Sequence, residues 1–172
     1  MASLMETLID VLRTESSLYE ELLAIAMRKT PVIVSGKLDE LAAVSDEEQN
    51  QVEKITAADK MRATAMKDIA DVMNRDPAKV KLTDIVAMLE KRPQEQAALA
   101  KERDRLVDIV NQVRRVNDQN QELLKSSLEM VEFEMNIIQS SRRAPETANY
   151  SRFAGTTGDR YGIESGNFNA GA

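Results

Sequence analysis

The feature that most constrains this chain is a span without a breaker. From Pro93 to about Ser141 no further Gly or Pro occurs, and roughly 48 residues at 1.5 Å each make a helix on the order of 70 Å long. Apolar and small polar residues recur along it at helical steps: Leu99, Leu106, Val110, Val113, Asn117, Asn120, Leu124, Ser127, Val131 and Ile138. Such a helix is not stable alone in water, because propensity contributes less than burial of one face. It must lie along other helices of comparable length.

The sequence supplies two. Ser3 and Glu6 have the spacing of a capping box, in which each side chain serves the other's free backbone donor. Two apolar stripes follow, Leu4-Leu8-Val11-Leu18-Leu22-Ile25 and Met5-Ile9-Leu12-Tyr19-Leu23-Ala26, which together form a face broad enough for two neighbours. The helix is expected to reach about Lys29, where Pro31 disturbs it through its missing donor. Residues 31–35 either continue as a kinked helix or leave it, and Gly36 stops it. A second pattern restarts at Leu38 or Asp39 and runs to about Met73, with Leu41, Val44, Val52, Ile55, Met66, Ile69 and Met73 as its stripe and polar interruptions around Glu48, Asp59 and Arg62. Asp76-Pro77 ends it. Thr83 is placed to cap a short third helix carrying Ile85, Val86, Met88 and Leu89, and Lys91-Arg92-Pro93 closes that helix. Short linkers make sequential helices antiparallel. The expected fold is all-α: an elongated antiparallel bundle of three long helices with a short connecting helix, residues 1–143.

Beyond Ala144 the pattern changes. Five of the six Gly and four of the six Phe and Tyr lie at or after Tyr150. Residues 144–172 carry too little apolar surface to offset their ordering entropy and are expected to be a disordered tail.

Composition removes whole classes of chemistry. The chain has no Cys, no His and no Trp, so thiolate and imidazole metal sites, Ser-His-Asp triads and Cys-His nucleophiles are excluded, as is a disulfide framework. The net charge of −6 divides into −5 for residues 1–143 and −1 for the remainder. Dense, nearly balanced charge without a Lys/Arg block argues against nucleic acid, whose binding rests on phosphate neutralisation. No uncharged run is long enough to span a membrane. The first residues lack the basic region of a signal peptide, so a soluble cytoplasmic protein is expected. No cofactor is called for. Asp68-x-x-Asp71 and Glu129-x-x-Glu132 are the pairs an all-helical Mg²⁺-dependent pyrophosphohydrolase would use. All four flank apolar stripes, which favours solvated faces, and no enzyme activity is expected.

Asn117 and Asn120 fall on the stripe of the long helix, where a buried amide must find partners. They fix helix register, as buried Asn does in coiled coils, or they border a groove whose hydrogen bonds an incoming helix completes. Their surroundings carry a resemblance. The segment Asn117-Asp-Gln-Asn120-Gln-Glu-Leu123-Leu124-Lys-Ser-Ser127-Leu128 resembles the Asn-x-x-Asn-x-x-Leu-Leu-x-x-Ser-Leu pattern in the last long helix of FlgN-type flagellar export chaperones. Glu15, Tyr19 and Leu22-Leu23 in the first helix are similar as well. So are the turn Val34-Ser-Gly36-Lys-Leu38-Asp39-Glu-Leu41, with one residue displaced, the acidic and basic positions Glu48 and Arg62, and Tyr150 with Gly155. The resemblance covers about residues 4–155. It implies a cytoplasmic chaperone of the flagellar type III export system that binds hook–filament junction proteins through their C-terminal amphipathic helix, keeps them unassembled and brings them to the export gate.

The residues suit that role. A protein that holds a helix needs apolar anchors at helical spacing, and the end of the long helix is apolar on more than one face: Leu123, Leu124, Leu128, Met130, Val131, Phe133, Met135, Ile137 and Ile138. Its methionines provide an adaptable lining. The expected partner-binding set is Asn117, Asn120, Leu123, Leu124, Leu128, Met130, Val131, Met135 and Ile138, joined by Tyr150 and Phe153 if the tail folds over the groove. Self-association stays open. The alternative is a generic coiled-coil adaptor or scaffold without an export role.

Overall fold

The computed structural model describes residues 3–142. It contains four helices: α1 Leu4–Ser35, α2 Leu38–Val72, α3 Leu82–Met88 and α4 Pro93–Arg142. The expected all-α architecture of three long helices and one short connector is the one observed. By compactness the chain divides into two units, Met1–Glu129 and Met130–Ala172. The described part of the second is the end of α4. The segment 144–172, expected to be a tail, lies outside the described residues.

Helix α1 begins with the capping box: the Glu6 N–H donates to Ser3 Oγ at 3.1 Å and the Ser3 N–H donates to Glu6 Oε2 at 2.7 Å. Pro31 does not end it. Both Pro31 and Met27, whose carbonyl loses its donor, are exposed, so water can serve that carbonyl and the penalty for proline is reduced. Gly36 ends the helix in the left-handed region at φ 68°, its N–H donating to the Ile33 carbonyl at 3.2 Å. This φ is open to glycine at little cost, so the chain reverses within two residues and enters α2.

The pairing of side chains shows that α1 and α2 run antiparallel. Gln51 bonds to Leu18 and Glu21, Lys29 to Glu48, and Glu15 faces Arg62. The α2 face that meets α1 runs through Val44, Glu48, Gln51, Ile55, Ala58, Arg62, Ala65 and Ile69, alternating steps of four and three. The polar interruptions therefore sit on the packing face itself. Val52, placed on the stripe by its apolar character, is exposed, because the adjacent Gln51 holds the inward position. Helix α2 ends before Asp76-Pro77: Asn74 takes φ 53° and the Arg75 N–H returns to the Ala70 carbonyl at 2.9 Å. Asn tolerates this conformation better than most residues.

Helix α3 starts one residue earlier than its expected cap. Thr83 lies inside the helix, and the Lys81 N–H at its start donates to Asp84 Oδ2 at 2.8 Å. The role of α3 is to close the core. Ile85 is fully buried and joins Leu8, Ile9 and Leu12 of α1, Ala65 and Ile69 of α2, and Leu99, Leu106 and Ile109 of α4. Each of the Leu and Ile side chains contributes about 1.5–3 kcal/mol of burial. A second cluster, Leu22, Ile55 and Val113, continues the core toward Gly36. Ile109 is core although the sequence stripe passed over it, whereas Val110 is only half-buried.

Candidate functional site

Helix α4 runs parallel to α1 at a nearly constant offset. Arg13 pairs with Glu102, Glu20 with Arg105, and Thr30 with Asn120. The last of these pairs is separated by 90 positions, so the final residue of α1, Ser35, is level with about Lys125. Up to that level the α4 stripe is covered. Leu99, Glu102, Leu106, Ile109, Val113 and Asn120 are buried, and Asn117, Leu123, Leu124 and Ser127 are half-buried.

Polar residues hold this part in register. The Asn120 side chain is 3% exposed. Its amide nitrogen donates to the Ala26 carbonyl at 2.9 Å, and its Oδ1 accepts from the Thr30 hydroxyl at 2.6 Å. The amide thus ties α4 to α1 just before Pro31. Glu102 accepts from Arg13 Nε at 3.3 Å and faces Arg105 Nη1 at 3.6 Å, while Arg105 Nη2 donates to Glu20 at 2.8 Å. This is a charged ladder between the two helices. Between α1 and α2, Glu15 is 1% exposed with Arg62 at 3.6 Å, and its Oε2 finds no hydrogen-bond partner. Burial raises the Glu15 pKa above the ordinary carboxyl value; Arg62 opposes the shift and Asp59 adds to it. Tyr19 is pushed upward for the same first reason, with Glu15 and Asp59 contributing.

The chemistry changes after Ser127. Leu128, Met130, Val131, Phe133, Met135, Ile137 and Ile138 are all between 49% and 65% exposed. At 3.6 residues per turn, Leu128, Val131, Met135 and Ile138 continue the stripe of Val113, Asn120 and Leu124. Met130, Phe133 and Ile137 form a second stripe on nearly the opposite side of the helix. Apolar surface of this density is seldom left open to water on a helix. The exposed carboxylates Glu129, Glu132 and Glu134 stand between the two stripes.

A family model described as FlgN protein matches residues 1–158. The chain belongs to the FlgN family. Its general role is therefore that of a flagellar export chaperone. No curated protein and no solved structure matches it. The FlgN match extends over all four helices and past the described residues.

Of the residues the sequence nominated, Asn120 lies in the packing between α1 and α4, and Asn117, Leu123 and Leu124 lie at its margin. Leu128, Met130, Val131, Met135 and Ile138 lie on exposed helix; Tyr150 and Phe153 fall outside the described residues. Sequence reasoning missed the buried polar positions Ser16, Gln51 and Glu102. A signal for two of them existed, since Gln51 and Glu102 each lie four residues before a stripe residue, Ile55 and Leu106. Among the described residues no group of three or more Asp and Glu side chains could hold a metal ion, and no helix is long and apolar enough to cross a membrane. Asp68 and Asp71 are exposed. They lie level with the start of α1, whereas Glu129 lies beyond the level of its end, about 50 Å away along the helices.

Proposed function

We propose that this FlgN-family chaperone is cytoplasmic and captures the C-terminal amphipathic helix of hook–filament junction proteins on the last turns of α4. In this reading it shields the apolar face those proteins would use in assembly and brings them to the export gate. The observation that carries the reading is the exposed stripe Leu128-Val131-Met135-Ile138, which repeats at the i, i+3, i+7 spacing by which one helix anchors another. Asn120 acts upstream of it, tying α4 to α1 before the stripe begins. The mechanism is capture through apolar contact, and it needs no nucleophile, general base or metal.

Co-purification with candidate junction proteins, each with and without its last helix, tests the reading. Intact partners are expected to co-elute and truncated ones to be lost. Equal recovery of both forms would place the binding determinant elsewhere on the partner.

A further inference from the structure

We infer that the exposed stripe of α4 takes a partner helix whose own apolar face is flanked on both sides by Lys or Arg. This rests on the proposal that the end of α4 is the helix-binding surface, and it specifies what that helix must carry. On the helical circumference Glu132 and Glu134 border the stripe Leu128-Val131-Met135-Ile138 on opposite sides, where the flanking positions of a two-helix contact fall. Glu129 stands one turn before, on the Glu132 side. From Ser126 to Ser141 there are three acidic residues and no basic one.

The contrast with the rest of the chain gives these charges meaning. Elsewhere carboxylates next to packing faces meet cations: Glu15 meets Arg62, Glu20 meets Arg105, Glu48 meets Lys29 and Glu102 meets Arg13. Among the described residues, none of Glu129, Glu132 and Glu134 belongs to an ion pair. A second copy of this segment would bring six carboxylates onto one contact with no cation between Lys125 and Arg142, and like charges at flanking positions disfavour pairing. An anionic membrane surface would be repelled in the same way. A basic-flanked helix meets the apolar stripe and both acidic borders together.

Two synthetic amphipathic peptides test this against the full chain, identical on their Leu/Ile face and differing only in flanking Lys or flanking Glu. Titration calorimetry at low salt should find the Lys-flanked peptide about tenfold tighter, each exposed pair supplying a factor of a few. High salt should narrow the gap to about twofold as the Debye length falls to a few ångströms. The double variant Glu132→Gln/Glu134→Gln should abolish most of the preference. The charge-matched control Asp46→Asn/Glu53→Gln, exposed on α2, should retain it. If both peptides bind equally and Val131→Asp/Ile138→Asp abolishes both, the charge inference falls and the helix-docking proposal stands. If neither peptide binds, both fall. A wild-type dimer at low salt that the Val131→Asp/Ile138→Asp variant dissolves, or co-sedimentation with phosphatidylserine vesicles, would also overturn the inference.

Discussion

Glu15 illustrates how a buried polar residue can set a pH response. Its carboxyl is almost fully enclosed, faces Arg62 on one oxygen and leaves the other without a hydrogen bond. Burial dominates, so the folded protein holds its proton to a higher pH than the unfolded chain does. The folded state then binds more protons between the ordinary carboxyl pKa and the raised one. The resulting contribution to stability is present at low pH and is lost as pH rises through that window. Glu15→Gln keeps the shape and removes the titration. The melting temperature of the variant, relative to wild type, should therefore climb from pH 4 to pH 7 in circular-dichroism melts; a difference that stays flat or falls would contradict the assignment. Asn120 behaves differently because its partners are neutral. Asn120→Ala removes both bonds that tie α4 to α1, leaving the Thr30 hydroxyl only its bond to the Ala26 carbonyl at 3.3 Å, and should cost about 2 kcal/mol in chemical denaturation. Asn120→Asp, which also removes the donor and adds a buried charge, should cost more.

At the scale of elements, the α1–α2 turn depends on one residue. Gly36 sits at positive φ, and a Cβ built on it meets nothing within 4 Å. Gly36→Ala therefore tests backbone strain alone. It should destabilise the protein by about 1 kcal/mol, while Gly36→Asn should cost less. Helix α4 divides by what covers it. Before Ser127 a charge on its stripe would enter a core; at Val131 and Ile138 it would enter solvent. Val131→Asp and Ile138→Asp should leave far-UV helicity within a few per cent of wild type and weaken capture of the partner helix at least tenfold. Helicity falling in step with binding would show those positions to be core. Along α2, the alternation of Val44, Gln51, Ile55, Ala58 and Ala65 explains why polar residues interrupt an otherwise regular apolar pattern. Glu48, Gln51 and Arg62 reach Lys29, Leu18 with Glu21, and Glu15 on α1. They hold the packing face without breaking it.

At the scale of the molecule, every buried described residue lies at or before Asn120. A chain ending after Ser127 should thus melt within a few degrees of the full protein, yet fail to co-purify with any partner helix. A large drop in melting temperature would mean that the end of α4 supports the fold as well as the partner. The three long helices, their order and the two caps of α1 were legible in the sequence, because a 3.6-residue periodicity, a Ser-x-x-Glu box and a lone Gly act locally. The FlgN resemblance was legible from the order of motifs along the chain. The continuation of α1 through Pro31 was left undecided by the sequence, since its cost depends on whether the freed Met27 carbonyl faces water or protein. The burial of Glu15, Gln51 and Glu102 was likewise a property of helix pairing: a carboxylate reads as surface until a guanidinium on another helix meets it. Leu106 and Val131 look alike in the sequence, as apolar residues on one stripe of one helix. Only the tertiary structure separates them, because α1 stops level with about Lys125 and a helix face is core only where another helix lies against it.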